Sequence, residues 1–160
     1  LSSLNRIYNL VMRKREKENH EIVFGPNGQG HVYKPAPYHS YKAKKLNDKT
    51  RWIANAKFEY DIFNLADEHD ERVLRDEPLV RNLRWVNDDN KGLYSIKENG
   101  CILGMSGERL AYFPQPRNEG ESWHGYPTDS TNLGDKLINH WFSIGVIDIS
   151  VCRKLLKHKL

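Results

Sequence analysis

Leu93-Tyr94-Ser95-Ile96-Lys97-Glu98-Asn99-Gly100-Cys101-Ile102-Leu103-Gly104-Met105-Ser106-Gly107-Glu108-Arg109-Leu110-Ala111-Tyr112-Phe113 is the stretch that decides the fold. Runs of aliphatic and aromatic residues at 93–97, 101–105 and 109–113 are separated by Asn99-Gly100 and Ser106-Gly107. The glycine of each pair accommodates the positive φ that tight hairpin turns require. This spacing predicts a three-strand antiparallel meander. Just before it, Asn87-Asp88-Asp89-Asn90-Lys91-Gly92 is made of residues that bond their own backbone and break regular structure.

Outward from the meander the apolar period changes from two to about 3.6. Over residues 50–68, Trp52, Ala56, Tyr60 and Phe63 mark one edge of a helix. Ile53, Phe58, Ile62 and Leu65 widen its apolar face, and Thr50 stands where a cap is wanted. Asp76-Glu77-Pro78 opens a short helix expected to reach Trp85. Nearer the N-terminus, β-rich runs at 21–25 and 31–34 flank Pro26-Asn27-Gly28-Gln29-Gly30, which predicts a hairpin. Residues 4–18 carry Leu4, Ile7, Tyr8, Val11 and Met12 at helical steps behind Ser3. On the C-terminal side, Leu133, Leu137, Ile138, Trp141 and Phe142 form one helical stripe. That helix is expected to be capped by Asp129, Ser130 or Thr131 and ended by Gly145. A last helix follows Asp148 or Ser150, with Val151, Leu155 and Leu156 inward. The expected fold class is therefore α+β: a small antiparallel sheet, the three-strand meander plus an N-terminal hairpin, covered by helices on one face. Residues 1–160 read as a single domain. The start at Leu1-Ser2-Ser3, without Met, also fits one module of a longer chain.

At 160 residues, 38% hydrophobic and 11% aromatic, the chain can bury a core and is too apolar for a disordered segment. No apolar run approaches the roughly 18 residues of a membrane span. The expectation is a soluble, cytoplasmic domain with no membrane partner. Cys101 and Cys152 have no companions at metal spacing; they are expected to be reduced, with a lone bridge as the alternative. The net charge of +4 is uneven, since residues 1–54 hold 11 Lys+Arg against 4 Asp+Glu. An excess gathered in one third suits a face that meets phosphate or an acidic partner, although a solvated surface has the same composition.

The second informative stretch is Tyr112-Phe113-Pro114-Gln115-Pro116-Arg117-Asn118-Glu119-Gly120-Glu121-Ser122-Trp123-His124-Gly125-Tyr126-Pro127-Thr128-Asp129. It is long, aromatic and ionisable, without an apolar period, as a binding element or a rigid covering loop would be. The glycines at 25, 28 and 30 do not open a helix after a parallel strand, so they carry no dinucleotide signature. The seven histidines are scattered, with none at i,i+4 on a helix, and no metal site or cofactor is expected.

What the residues do support is metal-independent acid–base chemistry on RNA. Attack by a 2′-hydroxyl on its own phosphodiester needs a base, an acid and a cation for the phosphoryl oxygens. His31 and His39 in one irregular segment, and Arg117, Glu119 and His124 in the other, are the candidate catalytic groups. Tyr38, Tyr41, Lys42, Lys44, Lys45, Trp123 and Tyr126 are the candidate nucleic-acid contacts, with rings for bases and ammonium groups for phosphates. RNA is the expected partner rather than DNA. The alternative is a non-enzymatic inhibitor or adaptor that inserts the Pro- and Trp-bearing loop 112–129 into a partner protein. The catalytic reading requires loops 31–45 and 112–129 to meet in space.

Overall fold

Strands β1 (Gly92–Ser95) and β2 (Leu110–Pro114) form within the outer runs of the meander in the computed structural model, which describes residues 22–69 and 83–160. They pair antiparallel, with Leu93 opposite Phe113 and Tyr94 opposite Tyr112. The middle run, 101–105, is not a strand. The chain turns away through Glu98, Asn99 and Gly100, at φ of 48°, 60° and 104°. The amides of Leu103 and Gly104 then both donate to the Glu108 carbonyl, at 2.7 and 3.1 Å, so the segment closes on itself. Its one link outward in this style is a single bridge from Gly104 to Trp52.

The third strand, β3 (Tyr126–Thr128), comes instead from the stretch expected to be loop, and it pairs antiparallel with β2, Tyr112 opposite Tyr126. The sheet order is β1-β2-β3. Pro127 is tolerated because β3 is an edge strand, where a missing donor breaks no ladder. Gly125 brings the chain to that edge: a Cβ there would collide with the Phe113 ring.

Helix α1 (Ala56–Asp67) starts six residues later than Thr50, behind Asn55, whose side chain accepts from the Phe58 amide at 3.1 Å. Thr50 cannot cap because the intervening chain is extended. There the Trp52 amide donates to His39 and the Ile53 amide to Leu103, each at 2.9 Å. The buried face of α1 is Glu59, Ile62, Phe63, Ala66 and Asp67, spaced in steps of three and four. Phe63 packs edge-on against Phe113 at 5.2 Å, which fixes α1 on β1 and β2.

Helices α2 (Asp135–Ser143) and α3 (Ile149–Leu156) pack on each other, and their buried Leu137, Ile138, Trp141, Cys152 and Leu155 join the same hydrophobic cluster as the sheet and α1. α2 is capped from a distance. Asp88 accepts from the amides of Lys136 and Leu137 at 2.9 and 3.2 Å, and Asn87 accepts from Gly134 at 2.8 Å. Asp129, Ser130 and Thr131 therefore do not cap it. Gly145, at φ 83°, ends the turn after α2 as expected, and Asp148 caps α3 through Val151 at 2.9 Å.

The chain is thus α+β, with a three-strand antiparallel sheet and three helices among the described residues. Of the N-terminal hairpin, one antiparallel bridge between Phe24 and Tyr33 is present, and it adds no strand to the sheet. The helix expected over 4–18, and the part of the short helix before residue 83, lie outside the described residues; Trp85 is not helical. Both cysteines are free, and burial raises the pKa of the Cys101 thiol. Among the described residues no helix is long and apolar enough to cross a membrane.

Candidate functional site

The two irregular segments meet. Tyr33 and Trp123 form a parallel bridge, in which the Trp123 amide donates to Val32 at 2.7 Å and the Lys34 amide to Trp123 at 2.8 Å. Beside this junction lies a cleft of about 510 Å³, lined by residues 29–32, 115–121 and Trp123. His31, Arg117 and Glu119, three of the five expected catalytic groups, share it.

Asp67 orients His31. The carboxylate, 0% exposed, is the last residue of α1, where the helix dipole disfavours negative charge, so it needs donors. Three converge on it: His31 Nδ1 at 2.8 Å and Asn27 Nδ2 at 2.7 Å on Oδ2, and Arg84 Nε at 2.7 Å on Oδ1. An acceptor surrounded in this way fixes Nδ1 of His31 as a donor and leaves Nε2 as its second functional nitrogen. The Asn27 side chain also accepts from the amides of Gln29 and His31, each at 3.0 Å, tying the turn that carries the imidazole to α1. The His31 side chain keeps 30% exposure, enough for contact with a ligand.

Trp123 supports this arrangement from beneath. It is 4% exposed, 5.3 Å from the His31 ring, 5.5 Å from Phe63, and under the Arg84 guanidinium at 5.4 Å. Trp123, expected to stack on bases or insert into a partner, has its backbone bridged to Tyr33 and its ring packed against the core at the floor of the cleft. The cleft carries mixed charge, since Glu119 and Glu121 line it along with Arg117.

His39 and His124 do not line this cleft. His39 is 5% exposed; its Nδ1 lies 2.6 Å from the Thr50 carbonyl oxygen, and its ring stacks on Tyr126 at 4.9 Å and meets Tyr38 at 4.7 Å. Burial lowers its pKa; the Thr50 carbonyl opposes that shift, and the charges of Lys49 and His124 reinforce it, so the ring serves to secure the turn Pro37–His39. His124 is exposed, with its pKa lowered by partial desolvation. Tyr126 continues the stack across the sheet to Tyr112 at 5.9 Å and Tyr94. Tyr38, 44% exposed, stands at its outer end under the Lys49 ammonium.

Of the expected nucleic-acid contacts, Tyr41 and Lys42 line a second cavity of about 640 Å³ at the start of α1, while Lys44 and Lys45 are exposed on the surface beside it. That cavity contains a group sequence reasoning missed. Glu59 is buried and accepts from the Tyr33 hydroxyl at 3.0 Å, and burial pushes its carboxyl up to about 8. Tyr33 in turn is held well above its usual value by burial and by Glu59. Glu59 and Asp67 were both readable as the ionisable members of the stripe 59-62-63-66-67. The large apolar residues on the flanks of α1 drew the expected face away from them. Among the described residues no group of His, Cys, Asp and Glu is arranged to hold a metal ion.

No protein-family model matches the chain, and comparisons with curated proteins and with solved structures found no match.

Proposed function

We propose that this protein binds single-stranded RNA and cleaves it by metal-independent acid–base chemistry in the cleft between residues 29–32 and 115–121. The observation that carries the reading is an imidazole oriented by a buried carboxylate, lining one cleft with an arginine and a glutamate. In the reaction, the 2′-oxygen attacks the adjacent phosphorus and the bond from phosphorus to the 5′-oxygen breaks. Glu119 takes the proton of the 2′-hydroxyl, His31 in its imidazolium form gives a proton to the departing 5′-oxygen, and Arg117 faces the charge on the phosphoryl oxygens. The products are a 2′,3′-cyclic phosphate and a 5′-hydroxyl.

Because Glu119 and Glu121 offset Arg117, affinity for the backbone is assigned to Lys42, Lys44 and Lys45 outside the cleft. Segment 29–37 runs from the cleft to that basic surface. Its residues 34–37 line the cavity that Lys42 also lines, so a bound strand can follow this segment from the cleft toward those lysines.

The test is a labelled RNA oligonucleotide incubated with the protein, with the DNA of the same sequence as control. Cleavage of RNA alone, to cyclic-phosphate ends, is expected. His31→Ala and Glu119→Gln should each lower the rate by roughly 10²–10⁴; Glu119→Gln should do so with an unchanged Tm, and His31→Ala, which takes one donor from Asp67, at temperatures where the variant is still folded. Intact RNA, together with no binding at low ionic strength, overturns the proposal.

A further inference from the structure

The cavity at the start of α1 has the parts of a ligand pocket that the cleavage chemistry does not use. Its volume, about 640 Å³, lies within the roughly 300–1,000 Å³ of small-molecule sites. Its walls are mostly apolar, from Pro35, Ala36, Ala43 and the Tyr41 ring. At its mouth the exposed Lys42 holds its ammonium over Tyr41, 5.5 Å from the ring centroid. Deep inside is the Glu59 carboxyl, 1% exposed and anchored on one oxygen by Tyr33.

A buried carboxyl among apolar walls stays neutral, and a neutral carboxyl offers a donor and an acceptor side by side. That pair matches the amide or amidine edge of a heterocyclic base. Apolar walls and a tyrosine suit the faces of such a ring, and an exposed lysine suits an attached phosphate. A cationic ligand is disfavoured, because Lys42 stands at the entrance and Glu59 carries no compensating charge at neutral pH.

We propose that this cavity is a nucleobase pocket, Glu59 pairing with the edge of a base whose phosphate meets Lys42. It rests on the RNA reading, and it makes the pocket the place where one base of the bound strand is held while the neighbouring phosphodiester lies in the His31 cleft.

The experiment is an NMR titration of the isotopically labelled protein with each of the four nucleoside 5′-monophosphates. Saturable shifts at Tyr41, Lys42, Ala43 and Glu59 are expected for at least one of them. Lys42→Ala weakens that binding severalfold, and Glu59→Leu abolishes it. Glu59→Gln keeps a donor and an acceptor at every pH. It should therefore bind equally at pH 7 and 9, whereas the unmodified protein, with Glu59 ionising near 8, weakens about tenfold over the same range. Shifts confined to His31, Arg117 and Glu119 overturn the pocket while leaving the cleft reading in place. Saturable binding at Glu59 with RNA neither bound nor cut keeps the pocket and overturns the proposed function. Absence of shifts with all four nucleotides overturns the pocket outright.

Discussion

Glu59→Gln isolates the largest pH dependence of stability that any single described carboxyl carries. Glu59 has its pKa at about 8 in the folded chain against an ordinary 4.5, because burial penalises the anion; the Tyr33 bond opposes the shift but is the smaller effect. Between those values the folded state binds more protons than the unfolded one, so stability falls as pH rises. The contribution is fully present below pH 4.5, declines by about 1.4 kcal/mol per pH unit up to about 8, and is flat above. Across pH 5 to 9 the loss is about 4 kcal/mol, a large share of the roughly 5–15 kcal/mol that holds a domain together.

Glutamine keeps an oxygen to accept from Tyr33 and never ionises. Urea unfolding of both proteins at pH 5, 6, 7, 8 and 9 gives two curves whose difference cancels every other titrating group. The expected result is a wild-type stability that falls relative to Glu59→Gln with rising pH, by about 4 kcal/mol in total, with an unchanged m-value. Parallel curves within about 0.5 kcal/mol, below the spread typical of surface substitutions, would refute the claim that the carboxyl is buried and neutral.

Three further outcomes follow from contacts elsewhere. Asp88→Ala removes acceptors from two α2 amides and should cost about 1 kcal/mol in chemical denaturation, although residue 88 lies far from α2 in sequence. Asp67→Ala strands the Arg84 and His31 donors and should cost roughly 3–5 kcal/mol by the same measurement, with RNA cleavage lost at temperatures where the variant is still folded. Replacing Lys42, Lys44 and Lys45 together by Ala should reduce the slope of log affinity for single-stranded RNA against log salt by about 2, with cleavage at saturating RNA retained.

The sequence was most legible where structure is local. β1, β2, α3 with its Asp148 cap, and the end of α2 at Gly145 are set by turn residues and apolar period within a few positions. It was least legible where a distant segment decides. Residues 101–105 have strand composition, but the amides of Leu103 and Gly104 are taken by Glu108 across a tight turn and that of Met105 by Arg51, and the vacant edge of β2 is filled by 126–128 from beyond the loop. The cap of α2 comes from Asp88, which in sequence reads only as part of a turn. Residues His31, Arg117 and Glu119 could be picked by chemical type, whereas their sharing of a cleft depends on the Tyr33 to Trp123 bridge, for which no periodicity exists. His39 was picked by the same criterion and is spent on a backbone carbonyl.

One interface accounts for both cavities. The inward face of α1 presents Glu59 and Asp67 eight residues apart, and the extended segment across it presents Tyr33 and His31 two residues apart, running the opposite way. Each carboxyl meets one of those side chains, but the surroundings differ in kind. Asp67 has three donors, one of them a guanidinium, and orients an imidazole; Glu59 has one phenol and apolar walls, and so keeps its proton. A single helix face thereby supplies a carboxyl ringed by donors at one end and a neutral carboxyl at the other. Removing one carboxyl by Asp67→Ala and bringing a cation beside the other by Ala56→Lys should lower the pKa of Glu59 toward its ordinary value and uncouple the His31 imidazole from α1. If the Glu59 titration, followed by carboxyl NMR, is unmoved in that double variant, the difference between the two ends does not arise from the donors around each carboxyl, and the physical basis offered for both sites fails.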